Sequence, residues 1–183
     1  MDFSSLETWG YLAIAFFSFG GSMLIVATAG VFAYLGHINL FYALAIAAFF
    51  NFLGDNFLFY LGRFNKKEIY KYLAKHKRKL AITRLLMKKY GSLAIFIQKF
   101  IYGVKTLIPI VMGLSKYDFK KFIIYNFFAS ILFVATIGLS AYYFSDIIIA
   151  IFNYIKTKPY LAPIILILIA AAIWQYLKQV EKK

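Results

Sequence analysis

The chain has 183 residues, 63% of them hydrophobic, against roughly 45–50% in an ordinary soluble domain. Its mean hydropathy is +0.74, and 21 Lys and Arg stand against 7 Asp and Glu for a net charge of +14. That combination excludes a soluble monomer and marks a basic membrane protein whose charge is concentrated in part of the chain. With no cysteine in the sequence, disulfides, thiolate nucleophiles and cysteine-based metal sites are excluded as well.

The N-terminus carries Asp2 and Glu7 but no Lys or Arg before Thr8, so it lacks the positive n-region of a secretory signal, and its first apolar stretch is expected to be retained. Thr8 to Gly54 holds no formally charged residue with His37 neutral, and at about 20 residues per membrane helix that is roughly two segments. Gly36-His37-Ile38-Asn39 is the natural cut, leaving a first segment over 9–35 and a span over 40–61. The first segment is interrupted at Gly20-Gly21-Ser22 and reads two ways. It is either re-entrant, because broken backbone at membrane depth survives only buried in protein or lining a wet cavity, or one long tilted helix with a glycine-lined contact.

Residues 63–89 hold 11 of the 21 basic residues and one acid, Glu68. The positive-inside rule keeps such a segment cytoplasmic, and Ile69, Leu73, His76 and Leu80 share one helical face among the lysines. An amphipathic segment lying on anionic inner-leaflet lipid is expected, with nucleic acid not expected as a partner. Residues 90–115 contain Lys99 and Lys105 and are followed at once by Lys116, Lys120 and Lys121. Basic flanks on both sides predict a segment that enters the membrane and returns, with Gly103, Pro109 and Gly113 as places to break the helix. Arms of about 12 residues at about 1.5 Å per residue reach about 18 Å, near the midplane of a core about 30 Å thick.

Spans are expected over 122–145 and 159–177, with a short connection over 146–158 and a cytoplasmic C-terminus marked by Lys178, Lys182 and Lys183. Counting back, the 40–61 span runs inward, so the first broken segment opens outward and the second inward; the side occupied by Met1 stays open. Leu24-Ile25-Val26-Ala27-Thr28-Ala29-Gly30 is similar to Leu107-Ile108-Pro109-Ile110-Val111-Met112-Gly113. Each follows a glycine break and precedes a full span, the pattern of an inverted repeat.

Three charges stand out inside apolar sequence. Asp55 lies eight residues before Arg63, about 12 Å along a helix. An intramembrane carboxylate needs a partner or a wet cavity, and Lys99, Lys105 and Arg63 are its available counter-ions. Lys99 and Lys105 each need an anion or a route to the headgroups; a lipid phosphate supplies the first and snorkelling the second. His37 and His76 are isolated, so no metal site and no cofactor is expected. No nucleophile, acid and base cluster at one depth, which leaves a lipid phosphatase or transferase with only Asp55.

Two blocks resemble the bacterial DedA family, also described as the SNARE-associated or VTT-domain family. The first, Gly54-Asp55-Asn56-Phe57-Leu58-Phe59-Tyr60-Leu61-Gly62-Arg63, is similar to the family's G-D-x-x-x-x-Y-x-x-G-R. The second runs from Tyr90-Gly91 and Phe96 through Lys99-Phe100-Ile101-Tyr102-Gly103-Val104-Lys105-Thr106 and Pro109 to Gly113-Leu114-Ser115, and resembles R-F-x-P-G-x-R-x-x-x-P-x-x-A-G. Here lysines replace the usual arginines, Tyr102 replaces a proline, and Met23 stands where the family usually has an acid. The resemblance implies an inner-membrane protein with two opposed re-entrant hairpins that moves undecaprenyl phosphate or phospholipids, with proton motive force as a candidate energy source.

The expectation is therefore an all-α integral membrane protein, with transmembrane helices and two opposed re-entrant hairpins in an inverted repeat. It is read as a translocase for a phosphate-bearing lipid rather than an enzyme. Lys99, Lys105, Asp55 and Arg63 bind substrate, and breaks at Gly20, Gly21, Gly103, Pro109 and Gly113 open the path. Membrane phospholipids, polyprenyl phosphate and a second copy of the chain are the expected partners. A proton-coupled solute or ion transporter and a non-catalytic scaffold are the alternatives.

Overall fold

The computed structural model describes residues 3–74, 77–101 and 105–157. His76, Tyr102, Gly103 and the expected span over 159–177 with its terminal lysines lie outside them. Among the described residues every regular element is helical.

Helix α1 (Phe3–Phe19) ends at the glycine pair, where Gly21 takes φ +74°, a conformation that a side chain resists. Helix α2 (Met23–Tyr34) starts at Ser22, whose hydroxyl accepts the N–H of Ile25 at 3.4 Å. After the turn at Gly36, Asn39 caps α3 (Leu40–Phe64), its side-chain oxygen accepting from Phe41 N–H at 2.9 Å and Tyr42 N–H at 3.2 Å. The basic stretch forms two helices, α4 (Lys66–Ala74) and α5 (Lys77–Tyr90). A second broken segment follows: a tight turn over Gly91–Leu93, the short α6 (Ala94–Ile97), another tight turn over Gln98–Phe100, and α7 (Leu107–Leu114). It leads into α8 (Phe119–Tyr143).

The contacts divide the chain after Tyr143, and α9 (Ser145–Thr157) belongs to the second unit. Residues 146–158, expected as a connection, are thus helical as far as Thr157. Ile147, Ile148, Ile151 and Phe152 recur at helical spacing, and Asp146 near the N-terminus and Lys156 in the last turn complement the helix dipole. Two of the expected helix breaks are also corrected. Pro109 lies in the first turn of α7, where its missing N–H removes no intrahelical bond, and Gly113 lies inside the same helix.

In the first unit α3 and α8 run antiparallel. Phe59 stacks on Phe122 with ring centroids 4.5 Å apart, while Leu44 lies against Gly138 near the other end. The first broken segment begins and ends at the N-terminal end of α3. Tyr11 accepts the Asn39 N–H at 2.9 Å, and Tyr34 meets Tyr142 near the end of α8. Its Gly20–Gly21 tip lies by the middle of α3, where Phe19 backbone touches Gly54. The second segment begins and ends at the opposite end: Ser92 and Tyr117 share a hydrogen bond of 2.6 Å, and Arg63 donates to the Tyr117 carbonyl.

The arms are exchanged between the long helices. α1 packs on α3 and α2 on α8, while α6 packs on α8 and α7 on α3. Small residues permit the close approaches: Gly30 meets the Gly138 carbonyl, Gly62 the Ile110 carbonyl and Gly113 the Phe59 carbonyl. Two larger apolar cores result among the described residues, one around Val26, Ala43, Ala47 and Phe133 and one around Phe59, Ile108, Met112 and Phe122. The outer face is apolar too, with Phe16, Leu24, Phe41, Phe49, Ile124 and Phe128 exposed. α3 and α8 are the two described helices long and apolar enough to cross a membrane.

Candidate functional site

A polar layer separates the two cores. Asn51 and Asp55 project from one face of α3, and Asn126 and Ser130 from one face of α8, each pair four residues apart and buried. Lys99, from the turn at Gln98–Phe100, enters between them with its side chain fully buried. Its ammonium donates to Asp55 Oδ2 at 2.7 Å, Asn51 Oδ1 at 2.7 Å and Ser130 Oγ at 2.9 Å. An ammonium has three N–H donors, so Lys99 is saturated. The layer extends outward: Asn126 donates to the Phe52 carbonyl at 3.1 Å, and Asn51 reaches the Ser18 carbonyl at 3.5 Å. Lys99–Asp55 is the ion pair found among the described residues.

Lys105 is placed differently. Its ammonium donates to the Gly21 carbonyl at 2.6 Å and lies 4.0 Å from the centre of the Phe133 ring. One hydrogen bond thus joins the two broken segments, and among the described residues the other two N–H donors have no hydrogen-bond acceptor. A side chain at Gly21 would push the end of Lys105 aside, since a Cβ there would fall 2.6 Å from Lys105 Cε.

Of the residues singled out in the sequence, Lys99, Lys105, Asp55 and Gly21 therefore converge, and Gly20 adjoins them. Arg63 does not. It lies in the last turn of α3 with its guanidinium over the Phe59 ring and one N–H on the Tyr117 carbonyl, anchoring the far end of the second segment. Asn51, Asn126, Ser130 and Gln98 went unnoticed. Pairs of polar residues at four-residue spacing within uncharged spans were the available signal. Gln98 is fully buried with both amide atoms unpartnered, and the Ser18 hydroxyl is in the same state. No group of acids and histidines among the described residues could hold a metal ion.

The model of the VTT domain matches residues 19–143, which takes in the first broken segment from its glycine break onward, the second broken segment and both long helices. The chain is similar to an uncharacterized membrane protein of Buchnera aphidicola subsp. Schizaphis graminum, at 32% identity over 161 residues, 83% of this chain and 62% of the relative. It is similar to membrane protein BU139 of Buchnera aphidicola subsp. Acyrthosiphon pisum, at 28% over 156 residues, 83% of this chain and 59% of the relative. The inner membrane protein YohD of Escherichia coli is 26% identical over 142 residues, 75% of this chain and 74% of the relative. The chain thus spans about three-fifths of the length of the two Buchnera relatives. No solved structure matches it.

Proposed function

Because the chain belongs to the VTT-domain family, known also as the DedA family, we propose that it is a translocase that moves a phosphate-bearing lipid between the leaflets of the bacterial inner membrane. Undecaprenyl phosphate and phosphatidylethanolamine are the candidate substrates, and no covalent step is involved. The observation that carries this reading is Lys105, a cation with a single hydrogen-bond acceptor among the described residues, at the point where two broken segments meet beside the middle of α3.

Each broken segment begins and ends at one end of α3, at opposite ends for the two, which supports reading both as re-entrant hairpins from opposite faces. The end bearing Arg63, α4, α5, Lys116, Lys120 and Lys121 is then cytoplasmic, and anionic inner-leaflet lipid gathers along 63–89. A phosphate reaching the tips competes with the Gly21 carbonyl for the Lys105 ammonium and parts the two tips as it binds. Lys99 and Asp55 hold the framework and set the local charge, and Arg63 fixes the return of the second hairpin. Glycine breaks supply backbone that can move without unwinding a full helix. With Met23 at the position where the family usually has an acid, downhill movement without a proton gradient is the simpler mode.

The test is reconstitution of the full chain in liposomes carrying labelled undecaprenyl phosphate or phosphatidylethanolamine, with and without a pH gradient. Lys105→Ala is expected to slow movement of the preferred lipid at least about tenfold, the scale of losing one charge-assisted hydrogen bond. Equal rates for Lys105→Ala and the parent chain overturn the site. Absence of movement for both lipids in folded protein overturns the function.

A further inference from the structure

Beside the basic end of the molecule, α5 and α7 leave a cavity of about 250 Å³ that the translocation path does not use. Its walls are Leu80 and Met87 of α5 and Val111 and Leu114 of α7, with Leu73 of α4 beside them and Arg84 among the lining residues. Leu73, Leu107 and Val111 belong to a small apolar cluster that seats α4 and α5 on α7, so the cavity is framed by packed helices.

Arg84 is exposed and makes no ion pair or hydrogen bond among the described residues. Ser115, the other polar lining residue, has its hydroxyl on the Met112 carbonyl at 3.0 Å, which leaves the guanidinium as the group with free donors. Glu68 is the one acid against 11 basic residues over 63–89, and it forms no ion pair with Arg84 among the described residues. An apolar cavity beside an unpaired guanidinium, in a field of this sign, is complementary to an amphiphile with an anionic head. The volume falls below the roughly 300–1,000 Å³ of sites that enclose a whole small molecule. It suits part of one hydrocarbon chain, with the rest of the lipid remaining in the bilayer.

We propose that this cavity is a binding site for an anionic phospholipid of the adjoining leaflet, with its phosphate on Arg84 and one chain between α5 and α7. The site stands apart from Lys105, so it holds or fails independently of lipid translocation. Its occupant bridges α5 to the returning arm of the second segment, which makes the packing of that arm sensitive to the charge of the leaflet.

The experiment uses the full chain in phosphatidylcholine liposomes containing a trace of phosphatidylglycerol with a photoreactive diazirine on one chain, and maps the labelled residues by peptide mass spectrometry. The same label on phosphatidylcholine is the comparison. Phosphatidylglycerol is expected to label Leu80, Met87, Val111 and Leu114, and Arg84→Gln is expected to lower that labelling roughly tenfold, the loss expected for a charge-assisted hydrogen bond, with Arg84→Lys in between. Labelling of the apolar face around Phe49 and Phe127 serves as the internal standard and stays constant. Equal labelling of the cavity by both lipids, labelling unchanged in Arg84→Gln, or no labelling of these four residues each overturns the proposal.

Discussion

Replacing Lys99 with Met removes an ammonium from a site where the Asp55 side chain is only 6% exposed, leaving a carboxylate without its cation. Breaking a buried pair in this way costs about 3–5 kcal/mol, because the remaining charge keeps its desolvation penalty and loses its partner. Asp55→Leu leaves the ammonium with Asn51 and Ser130 alone and costs a similar amount. In the double variant both charges are gone. What remains is an Asn51 oxygen without its donor and some imperfect packing, together about 1–2 kcal/mol. The double variant should therefore be more stable than either single one. Unfolding in mixed micelles of rising sodium dodecyl sulfate fraction, followed by far-ultraviolet circular dichroism, measures the ranking. A double variant as unstable as the sum of the two singles would show that Lys99 and Asp55 do not act as a pair, and the framework role assigned to them would fall.

Gly54→Ala should cost about 1–3 kcal/mol in the same titration, because its Cβ strikes the Phe19 backbone and α1 must shift; Gly10→Ala, which meets only the Ile38 side chain at 3.6 Å, should be neutral. Gly21→Ala forces a side chain into φ +74° and onto Lys105, so it should impair lipid movement in liposomes more than it lowers the unfolding midpoint. Asp118 accepts the backbone N–H groups of Lys121, at 3.1 Å, and of Lys120, which holds its carboxyl below the ordinary range. Its folded-state pKa is depressed, so its contribution to stability is present above about pH 4 and is lost as pH falls through the folded value. Asp118→Asn should flatten that part of the pH–stability curve, measured as unfolding midpoints between pH 6 and pH 2.5.

Much of the framework was legible because lipid imposes a coarse rule on sequence. Uncharged runs of sufficient length located α3 and α8, and the residues flanking them, Asn39 and the basic clusters, fixed their ends to within a few positions. The glycine pair at Gly20–Gly21 was legible for the same reason, as a backbone break inside an apolar run. Pro109 does not break its helix because position decides a proline's effect, and in a first turn it has no bond to break. Gly113 misled because a glycine can serve close approach as readily as chain reversal, and only its neighbour, the Phe59 backbone, tells the two apart. At the site, the isolated charges of Asp55, Lys99 and Lys105 were conspicuous, but the choice of Lys99 over Lys105 and Arg63 as partner of Asp55 is tertiary. It depends on how the turn at Gln98–Phe100 enters between α3 and α8, which no local pattern encodes. Asn51 and Ser130 complete the coordination of Lys99, but as single uncharged residues they carry no comparable signal in the sequence.

The exchange of arms between the long helices has a consequence for biosynthesis. α2 presents Val26, Ala29 and Gly30 as its buried face, yet the surface that covers Gly30 is at Gly138 and Ala141, more than a hundred residues further along the chain. At about 5–20 residues per second, the ribosome needs roughly 5–20 s to deliver that partner. Until then the small-residue seam of α2 lacks the surface that covers it. The core around Val26, Ala43, Ala47 and Phe133 therefore closes only when α8 arrives, although α1, α2 and α3 can pack on one another before it. A chain arrested before α8 should expose this seam to membrane-embedded proteases and chaperones, however well its first three helices have formed.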